Sequence, residues 1–528
     1  MDLAPRATIR RARGADLPLD ASLRRRLEAA TGVRAGVLAA AAVALAAGVV
    51  LRFAATGDLW LDEALAVNIA ELPLADIPDA LRRDGAPPLY YVLLHGWMAL
   101  FGDGTVAVRA LSGLFGVAAL PLAWAAGRRL GGRPTAEASL FLLAASPFAV
   151  RYATEARMYS MVVFLVLAGH LALLRALERP TRPRLAAVSV VTGLLLLTHY
   201  WALFLAGTVL AVLALDARRR GDAGDPARKA VLAVAAGFAA LLPWLPVLAY
   251  QALNTGTPWA VPPGVMELRD TFVDFAGGYS RAGTALALLF AGLVVLALVG
   301  RPAGRGVALG RDGRPGARRL AFVTAGTLGA AFVLGHVTGT AFVPRYASVV
   351  LAPFVLLLAT GTTTLVSDTM RRSVVAAAVV LGLVGGVSAV GATRTQAGDV
   401  AAAIERLARP GDVVAFCPDQ LGPAVSRLLP PSIDQVTFPD LSAPQRVDWV
   451  DYAARNKASP PRRFAARLLA RAGPDHDVFV VWGGGYRTLG RRCEALVAGL
   501  DTRRAEVVRV EVDWASYERM TLVQFPPW

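Results

Sequence analysis

Charged residues, histidine and cysteine are all scarce in this sequence of 528 residues. Only 18% of the residues are charged, five are histidine, and the two cysteines are Cys417 and Cys493. His95 and His199 follow no metal-ligand spacing such as HExxH, so the sequence predicts no dedicated metal cage. A disulfide between the cysteines is chemically permitted, but we expect two buried free thiols, because the sequence does not fix their separation.

Apolar residues are abundant in this sequence. Hydrophobic residues make up 55% of the chain and the mean hydropathy is +0.50, which is more apolar sequence than a soluble core needs. Runs of roughly 17 to 25 apolar residues, long enough to cross a bilayer, recur between polar breaks. The sequence therefore predicts a polytopic α-helical membrane protein of about eleven transmembrane helices. The predicted spans are 34–53, 105–127, 134–150, 158–175, 185–198, 201–216, 230–249, 283–300, 320–337, 346–366 and 373–393.

The basic residues behind the net charge of +16 are sorted by membrane side. Arginines are concentrated in the first 33 residues and in every second connection between spans, at 128–133, 175–184, 218–229, 301–319 and 371–372. The positive-inside rule assigns these segments to the cytoplasm. We therefore expect a multi-pass protein of the cell (plasma) membrane with a cytoplasmic N-terminus, and not a nucleic-acid-binding protein.

Three regions follow from these patterns. Residues 1–33 are expected to form a cytoplasmic basic tail, and 34–393 a membrane domain with a long outer loop at 56–104. Residues 394–528 are mixed in polarity and alternate helix and strand patterns, which predicts an extracytoplasmic α/β domain. Its predicted strands are 412–416, 477–482, 505–512 and 520–525, and its predicted helices are 399–408, 461–472 and 489–500.

Carboxylates gather in the predicted outer loops, and an acidic pair, Asp62-Glu63, follows the first span directly. An acidic pair beside a bilayer is costly unless it is solvated or used. A solvated loop is one reading. The other is that a carboxylate here acts as general base toward an acceptor hydroxyl. A divalent cation, Mg²⁺ or Mn²⁺, is possible at the pair, but spacing alone does not decide whether one is needed.

A few arginines lie in outer loops, where the positive-inside rule disfavours them. Arg151 and Arg157 bracket a short loop that contains Glu155, and Arg345 precedes Tyr346 just before a span. Guanidinium groups bind phosphate oxygens in bidentate fashion, although snorkelling to lipid headgroups is as good an explanation for any single arginine. With the acids, the set favours a phosphate site.

Two further polar side chains lie at or inside predicted spans. Arg109 falls several residues inside the second span, where an arginine is a functional candidate by default unless it snorkels to the surface. His199 lies at the outer mouth between two spans, where it could contact substrate or simply pack beside its aromatic neighbours. Both are kept as candidate site residues.

Several short motifs in combination resemble a known superfamily. They are Asp62-Glu63, Gly85-Ala86-Pro87-Pro88-Leu89-Tyr90-Tyr91, Phe101-Gly102, Ala107-Val108-Arg109, Glu155-Ala156-Arg157-Met158-Tyr159-Ser160 and Pro344-Arg345-Tyr346. Over about 34–393 the chain resembles the protein O-mannosyltransferase and aminoarabinose-transferase superfamily, including bacterial glycosyltransferase family 39, within the GT-C glycosyltransferases. Ala86 stands where bacterial members often have histidine, which leaves the acceptor geometry open.

The resemblance implies an inverting glycosyltransferase that moves a sugar, mannose as first expectation, from a polyprenyl-phosphate donor to an acceptor outside. The acceptor could be a glycan, a glycolipid or a protein. By the resemblance, Asp62 is the catalytic base with Glu63 in support. Donor phosphate and sugar would be bound by residues among Arg345, Arg157, Glu155, Arg151, Arg109, Tyr346, Asp84, His199 and Tyr90.

Two other functions stay open at this point. A transporter or flippase for a lipid-linked sugar would also need apolar helices and basic phosphate contacts, but inverted repeats and midplane polar residues are not evident. A non-catalytic membrane scaffold is the second alternative. It leaves Asp62-Glu63 and the outer arginines unexplained.

Overall fold

The computed structural model describes residues 21–218, 224–260, 263–304, 306–310 and 315–527, with side chains from residue 35 onward. The first 20 residues of the predicted basic tail lie outside these ranges. The chain forms a bundle of helices followed by a mixed α/β unit, which confirms the predicted fold class. The helices of the bundle are α1 (Ala21–Leu51), α2 (Leu61–Ala70), α3 (Ile77–Asp84), α4 (Leu89–Phe101), α5 (Thr105–Ala144), α6 (Pro147–Ala153), α7 (Tyr159–Glu178), α8 (Arg182–Leu196), α9 (Ala202–Ala217), α10 (Asp225–Gly237), α11 (Leu245–Asn254), α12 (Val265–Phe275), α13 (Arg281–Val299), α14 (Pro315–Thr338), α15 (Ser348–Thr362) and α16 (Asp368–Gly391).

Each predicted span coincides with one or more of these helices. Within the described ranges, seven helical stretches are long and apolar enough to cross a membrane by length and composition. They are Thr105–Ala144, Tyr159–Glu178, Asp225–Asn254, Arg281–Val299, Pro315–Thr338, Pro344–Thr362 and Asp368–Gly391. Shorter apolar helices occupy Ala35–Leu51, Leu89–Phe101 and Ala202–Ala217. The protein is therefore a multi-pass membrane protein, as predicted.

Helix α5 joins two spans that were predicted separately. Its 40 residues are interrupted at Gly131 and Gly132, where the backbone leaves helical geometry. Gly132 has φ = 72°, a left-handed conformation that side chains disfavour, so glycine suits this position. The bend ends the first span and starts the second without a loop, because helical hydrogen bonding resumes at once.

Helix α15 forms the centre of the bundle. Every residue from Ser348 to Thr362 is buried, and the helix packs against α5, α7, α13 and α14. A short 3-10 turn, Pro344–Ala347, leads into it. Residues in that turn are thereby fixed at the end of a helix that has protein on all sides.

The connection between α13 and α14 contains a small hairpin that the sequence patterns did not predict. Its strands, β1 (Gly300–Ala303) and β2 (Gly306–Leu309), pair in antiparallel fashion. They are only four residues long and rich in glycine, so their alternation signal is weak. The hairpin lies at a predicted cytoplasmic connection.

The C-terminal part of the chain forms an α/β unit with one five-stranded sheet. Its strand order is β4-β3-β5-β7-β6; β3 is parallel to β4 and β5, and β7 is antiparallel to β5 and β6. The strand β4 was missed by the sequence patterns, because it is short and only half buried. The elements are α17 (Ala397–Leu407), β3 (Val413–Cys417), α18 (Gly422–Ser426), β4 (Asp434–Thr437), α19 (Tyr452–Ala458), α20 (Pro461–Ala472), β5 (Val478–Trp482), α21 (Arg492–Asp501), β6 (Val507–Val510) and β7 (Thr521–Phe525).

The sheet is covered on both faces, and one face leads to the helical bundle. Alternate residues of β3 point in opposite directions, so Val414 and Phe416 belong to the core shared with the bundle. Val413 and Ala415 belong to the core formed with α20 and α21. Helix α18 packs against α2, which joins the C-terminal unit to the first loop of the bundle.

The cysteine expectation is wrong, because Cys417 and Cys493 form a disulfide. Cys417 ends β3 and Cys493 lies in the first turn of α21, and the packing of that helix on the sheet brings their Cα atoms to 5.4 Å. That separation is within disulfide range. It is set by tertiary packing across 76 residues of chain, which no local pattern reveals.

Candidate active site

A cavity of about 770 Å³ lies between the bundle and the C-terminal α/β unit. Six of the eleven predicted site residues line it: Asp62, Asp84, Arg157, His199, Arg345 and Tyr346. The other five lie outside this lining: Glu63, Tyr90, Arg109, Arg151 and Glu155. The structure therefore brings together the predicted base and two of the predicted phosphate ligands.

Asp62 and Arg345 face each other in the cavity. Arg345 Nη2 lies 3.5 Å from Asp62 Oδ2, and each side chain is 17% exposed. Asp62 is in the first turn of α2, and Arg345 is in the 3-10 turn that leads into α15. The guanidinium of Arg345 also lies 5.6 Å from the ring centroid of Trp259 and 5.9 Å from that of Trp60, at cation–π distance.

Arg157, in the loop between α6 and α7, also contacts Asp62. Its Nη1 donates to the backbone carbonyl of Asp62 at 3.2 Å and to the hydroxyl of Tyr91 at 3.2 Å. The Tyr91 hydroxyl in turn donates to Asp84 Oδ2 at 3.1 Å. Burial raises the pKa of Asp84, while Arg157 and the Tyr91 hydrogen bond oppose the rise. These bonds fix Arg157 beside Asp62.

Four hydrogen-bond donors in the cavity lining are buried without a partner among the described residues: Trp60 Nε1, Arg157 Nε, Tyr159 OH and Arg345 Nε. One acceptor of the lining, Gln420 Oε1, is also without a partner there. A buried donor that lacks an acceptor costs about 1–3 kcal/mol, so proteins seldom leave such groups unused. Four donors around one cavity match a ligand with several acceptor oxygens, such as a phosphate.

Glu63 and Arg109 form a buried pair behind the cavity wall. Arg109 donates Nε to Glu63 Oε1 at 2.7 Å and Nη2 to Oε2 at 2.6 Å. The Ala156 amide also donates to Oε1, and Arg394 Nη1 lies 3.7 Å from Oε2. A helix turns by about 100° per residue, so Asp62 and Glu63 point in different directions although they are adjacent. The geometry thus gives Glu63 a supporting position and keeps Arg109 away from the cavity.

The Asp62-Glu63 pair does not offer two free carboxylates to a cation, since Arg109 bonds both Glu63 oxygens. In the described part of the chain, no group of three or more His, Cys, Asp or Glu side chains is arranged to hold a metal ion.

Arg151, in the last turn of α6, pairs with Glu155 in the loop that follows. Arg151 Nε donates to Glu155 Oε1 at 3.0 Å, and burial raises the pKa of Glu155. Next to them, Arg394 donates to the Thr154 carbonyl and hydroxyl, both at 2.6 Å. These contacts hold the loop that carries Arg157, so they act on the cavity indirectly.

Tyr90 also lies behind the cavity wall. Its hydroxyl is 3.0 Å from Ser112 Oγ, and Ser112 Oγ donates to the backbone carbonyl of Arg157 at 2.8 Å. Tyr90 therefore supports the backbone of Arg157 and is itself fully buried.

His199 and Tyr346 form one aromatic wall of the cavity. Their rings lie 5.1 Å apart, and His199 Nδ1 accepts the Trp201 amide at 3.1 Å. Burial, followed by the charges of Arg157 and Arg345, lowers the pKa of His199 to about 3. The imidazole is therefore neutral at neutral pH, and it contributes shape and hydrogen bonding but no charge.

Sequence patterns missed several residues of the lining. Trp60 and Tyr159 are sequence neighbours of Asp62 and Arg157, so the motifs pointed to their location but not to their role. The C-terminal unit supplies others, for which no local signal exists because they are distant along the chain. These are Gln420, Trp449, Tyr486, Tyr517 and Glu518.

Comparisons with known proteins support the resemblance. Residues 85–249 match the family model described as dolichyl-phosphate-mannose-protein mannosyltransferase. The crystal structure of ArnT from Cupriavidus metallidurans bound to undecaprenyl phosphate superposes with a TM-score of 0.58 at 15% identity, covering 93% of this chain and 98% of that one. The apo structure of the same protein gives 0.58 at 17% identity, covering 94% and 98%. The chain therefore shares the fold of ArnT.

The predicted superfamily resemblance is thus confirmed. The GT-C likeness to ArnT extends over the C-terminal α/β unit as well as the bundle, since it covers more than nine tenths of both chains. The family-model match is narrower and does not reach Arg345. No curated protein sequence matches the chain.

Proposed function

We propose that the protein is an inverting glycosyltransferase that moves a sugar from a polyprenyl-phosphate donor to an acceptor on the extracytoplasmic face. The observation that carries the proposal is the cavity in which Asp62 contacts Arg345 through its carboxylate and Arg157 through its backbone carbonyl. The undecaprenyl phosphate bound to ArnT, which has the same fold, supports a lipid phosphate as the ligand of these arginines.

The reaction needs one base and one site for the leaving phosphate. In the proposed step, Asp62 takes the proton of an acceptor hydroxyl as its oxygen attacks the anomeric carbon. The bond from that carbon to the phosphate oxygen breaks, and its electron pair leaves with the lipid phosphate. Attack from the face opposite the leaving group inverts the anomeric centre.

Arg345 and Arg157 would stabilise the departing phosphate. Both are held by the fold with guanidinium N–H groups still unused, so they can bind phosphate oxygens without a large rearrangement. Arg345 contacts Asp62 at 3.5 Å, which is longer than a strong charged hydrogen bond. A donor phosphate would compete for Arg345 and leave Asp62 free to accept a proton.

Mannose remains our first expectation for the sugar, and it rests on the superfamily resemblance and the description of the matching family model. The acceptor class is kept open between a glycan, a glycolipid and a protein. The disulfide Cys417–Cys493 favours an oxidising compartment, in agreement with an extracytoplasmic C-terminal unit.

The test is an assay of donor use by the purified full-length protein in lipid nanodiscs. The protein receives a panel of polyprenyl-phosphate sugars together with crude envelope acceptors. Each reaction contains Mg²⁺, Mn²⁺ or a chelator, and the released polyprenyl phosphate is measured. We expect release from one donor, and loss of release in Asp62→Asn. Asp79→Asn, an exposed carboxylate of the same outer loop, is the matched control. Equal turnover in Asp62→Asn and wild type would show that Asp62 is not the base.

A further inference from the structure

Helix α2, which carries Asp62, begins without a cap of its own. The residue before its first turn is Trp60, whose indole offers no hydrogen-bond acceptor. The first backbone N–H groups of a helix have no partner within the helix, so another group must satisfy them. At Leu61, the residue directly before Asp62, that group comes from the other end of the chain.

Glu518, in the segment between β6 and β7, caps this helix. Its Oε1 accepts the Leu61 amide at 3.2 Å, and its Oε2 accepts the Thr395 hydroxyl at 2.5 Å. The side chain is buried. Next to it, the ring of Tyr517 packs edge-on against Trp60, with ring centroids 5.2 Å apart.

The other end of α2 is held by the same α/β unit. Asn68 Nδ2 donates to the Gln445 carbonyl at 2.6 Å. Arg427 Nη1 donates to Asn68 Oδ1 at 2.7 Å and to Glu71 Oε1 at 2.5 Å. Both ends of the helix are therefore fixed by residues that follow the last membrane helix.

We infer that Glu518 is a positioning residue, which holds the first turn of α2 so that the Asp62 carboxylate stays aligned for proton transfer. The C-terminal α/β unit is then part of the catalytic centre and more than an appended module. This inference rests on the proposed function, because it assigns to Glu518 a role in the same reaction.

Two substitutions of Glu518 separate its hydrogen bond to the Leu61 amide from its charge. Burial raises the pKa of Glu518 to about 8, with Thr395 and the Leu61 amide opposing the rise, so the side chain is mostly neutral at pH 7. Glutamine is therefore a close mimic, since its amide oxygen can still accept the Leu61 N–H. Alanine removes the acceptor and leaves that amide unsatisfied.

The experiment compares Glu518→Ala, Glu518→Gln and Glu506→Ala, a control at an exposed glutamate of the same unit. Hydrogen exchange of the α2 amides is measured with kcat, the donor KM and binding of sugar-free polyprenyl phosphate. We expect Glu518→Ala to speed exchange of the first α2 amides and to lower kcat about 10- to 100-fold, with donor KM and lipid-phosphate binding nearly unchanged, because small misplacements of a catalytic group are costly. Glu518→Gln and Glu506→Ala should stay within about 3-fold of wild type in kcat.

Other outcomes decide against the inference. It is overturned if Glu518→Ala keeps wild-type kcat and exchange, or if donor binding and thermal stability fall together with kcat, which would indicate a role in folding only. Should Glu518→Ala not fold, Thr395→Val must show a smaller loss of kcat in the same direction; this change removes the hydroxyl that donates to Glu518 and accepts the Ala397 amide. If wild type uses no sugar donor, the proposed function fails, while exchange of the α2 amides still decides whether Glu518 holds the helix.

Discussion

The carboxylate of Asp62 and the guanidinium of Arg345 lie 3.5 Å apart across a cavity whose walls come from both the helical bundle and the α/β unit. One side chain is at the start of a short helix in a long loop, and the other is in the turn before the most buried helix of the bundle. The contact brings the two groups to which the proposed sugar transfer assigns roles, the carboxylate as base and the guanidinium as phosphate ligand, into one cavity.

Asp62→Asn should lower kcat for sugar transfer by about 10²–10⁴-fold, the usual contribution of a general base. Asparagine keeps the shape of the side chain but cannot accept the proton. Binding of polyprenyl phosphate should change little, because the arginines remain. Rates are measured under single-turnover conditions, with Asp79→Asn carried in parallel as the control.

Arg345→Ala should weaken donor capture more than acceptor capture. The guanidinium can bind two phosphate oxygens at once, so its loss is expected to raise the donor KM by about 10-fold or more. Arg345→Lys should restore only part of this, since an ammonium does not present the planar pair of donors. Equal loss for donor and acceptor would instead indicate that Arg345 maintains the fold.

Glu63→Gln should destabilise the protein, because it leaves Arg109 buried without its countercharge. Breaking a buried pair from one side typically costs about 3–5 kcal/mol. The double variant Glu63→Gln with Arg109→Met should recover part of the loss, since the unpaired charge is gone. The thermal unfolding midpoints of the single and double variants test this, and a double variant with the summed loss of both singles would contradict the coupling.

A reporter fused at the C-terminus should be found outside the cytoplasm, whereas one inserted between α7 and α8 should be inside. The second site is a basic connection, and the positive-inside rule places such connections in the cytoplasm. Paired reporters that are active only outside the cytoplasm or only inside it give the answer in cells. A cytoplasmic result for the C-terminal fusion would put the cavity on the wrong face for the proposed reaction.

Motifs predicted many of the residues at the site, but they did not predict which of them line the cavity and which lie behind its wall. Asp62 was selected because an acidic pair beside a bilayer is costly, and Arg157 and Arg345 because the positive-inside rule disfavours arginine in outer loops; the structure brings all three to one cavity. Glu63 was selected with Asp62, and Arg109 because it lies inside a span, yet these two pair with each other behind the wall. The cost of burying charge indicates that a polar residue has a partner, but it does not say whether that partner is a ligand or another side chain.

The sequence by itself determined the membrane helices and most strands of the α/β unit, because apolar run length and alternation are local properties of the chain. Only the tertiary structure decided that Cys417 meets Cys493 and that Glu518 caps the helix of Asp62. Those contacts join residues far apart in sequence, and their geometry depends on how the helices and the sheet pack together. Local patterns carry no information on such distances.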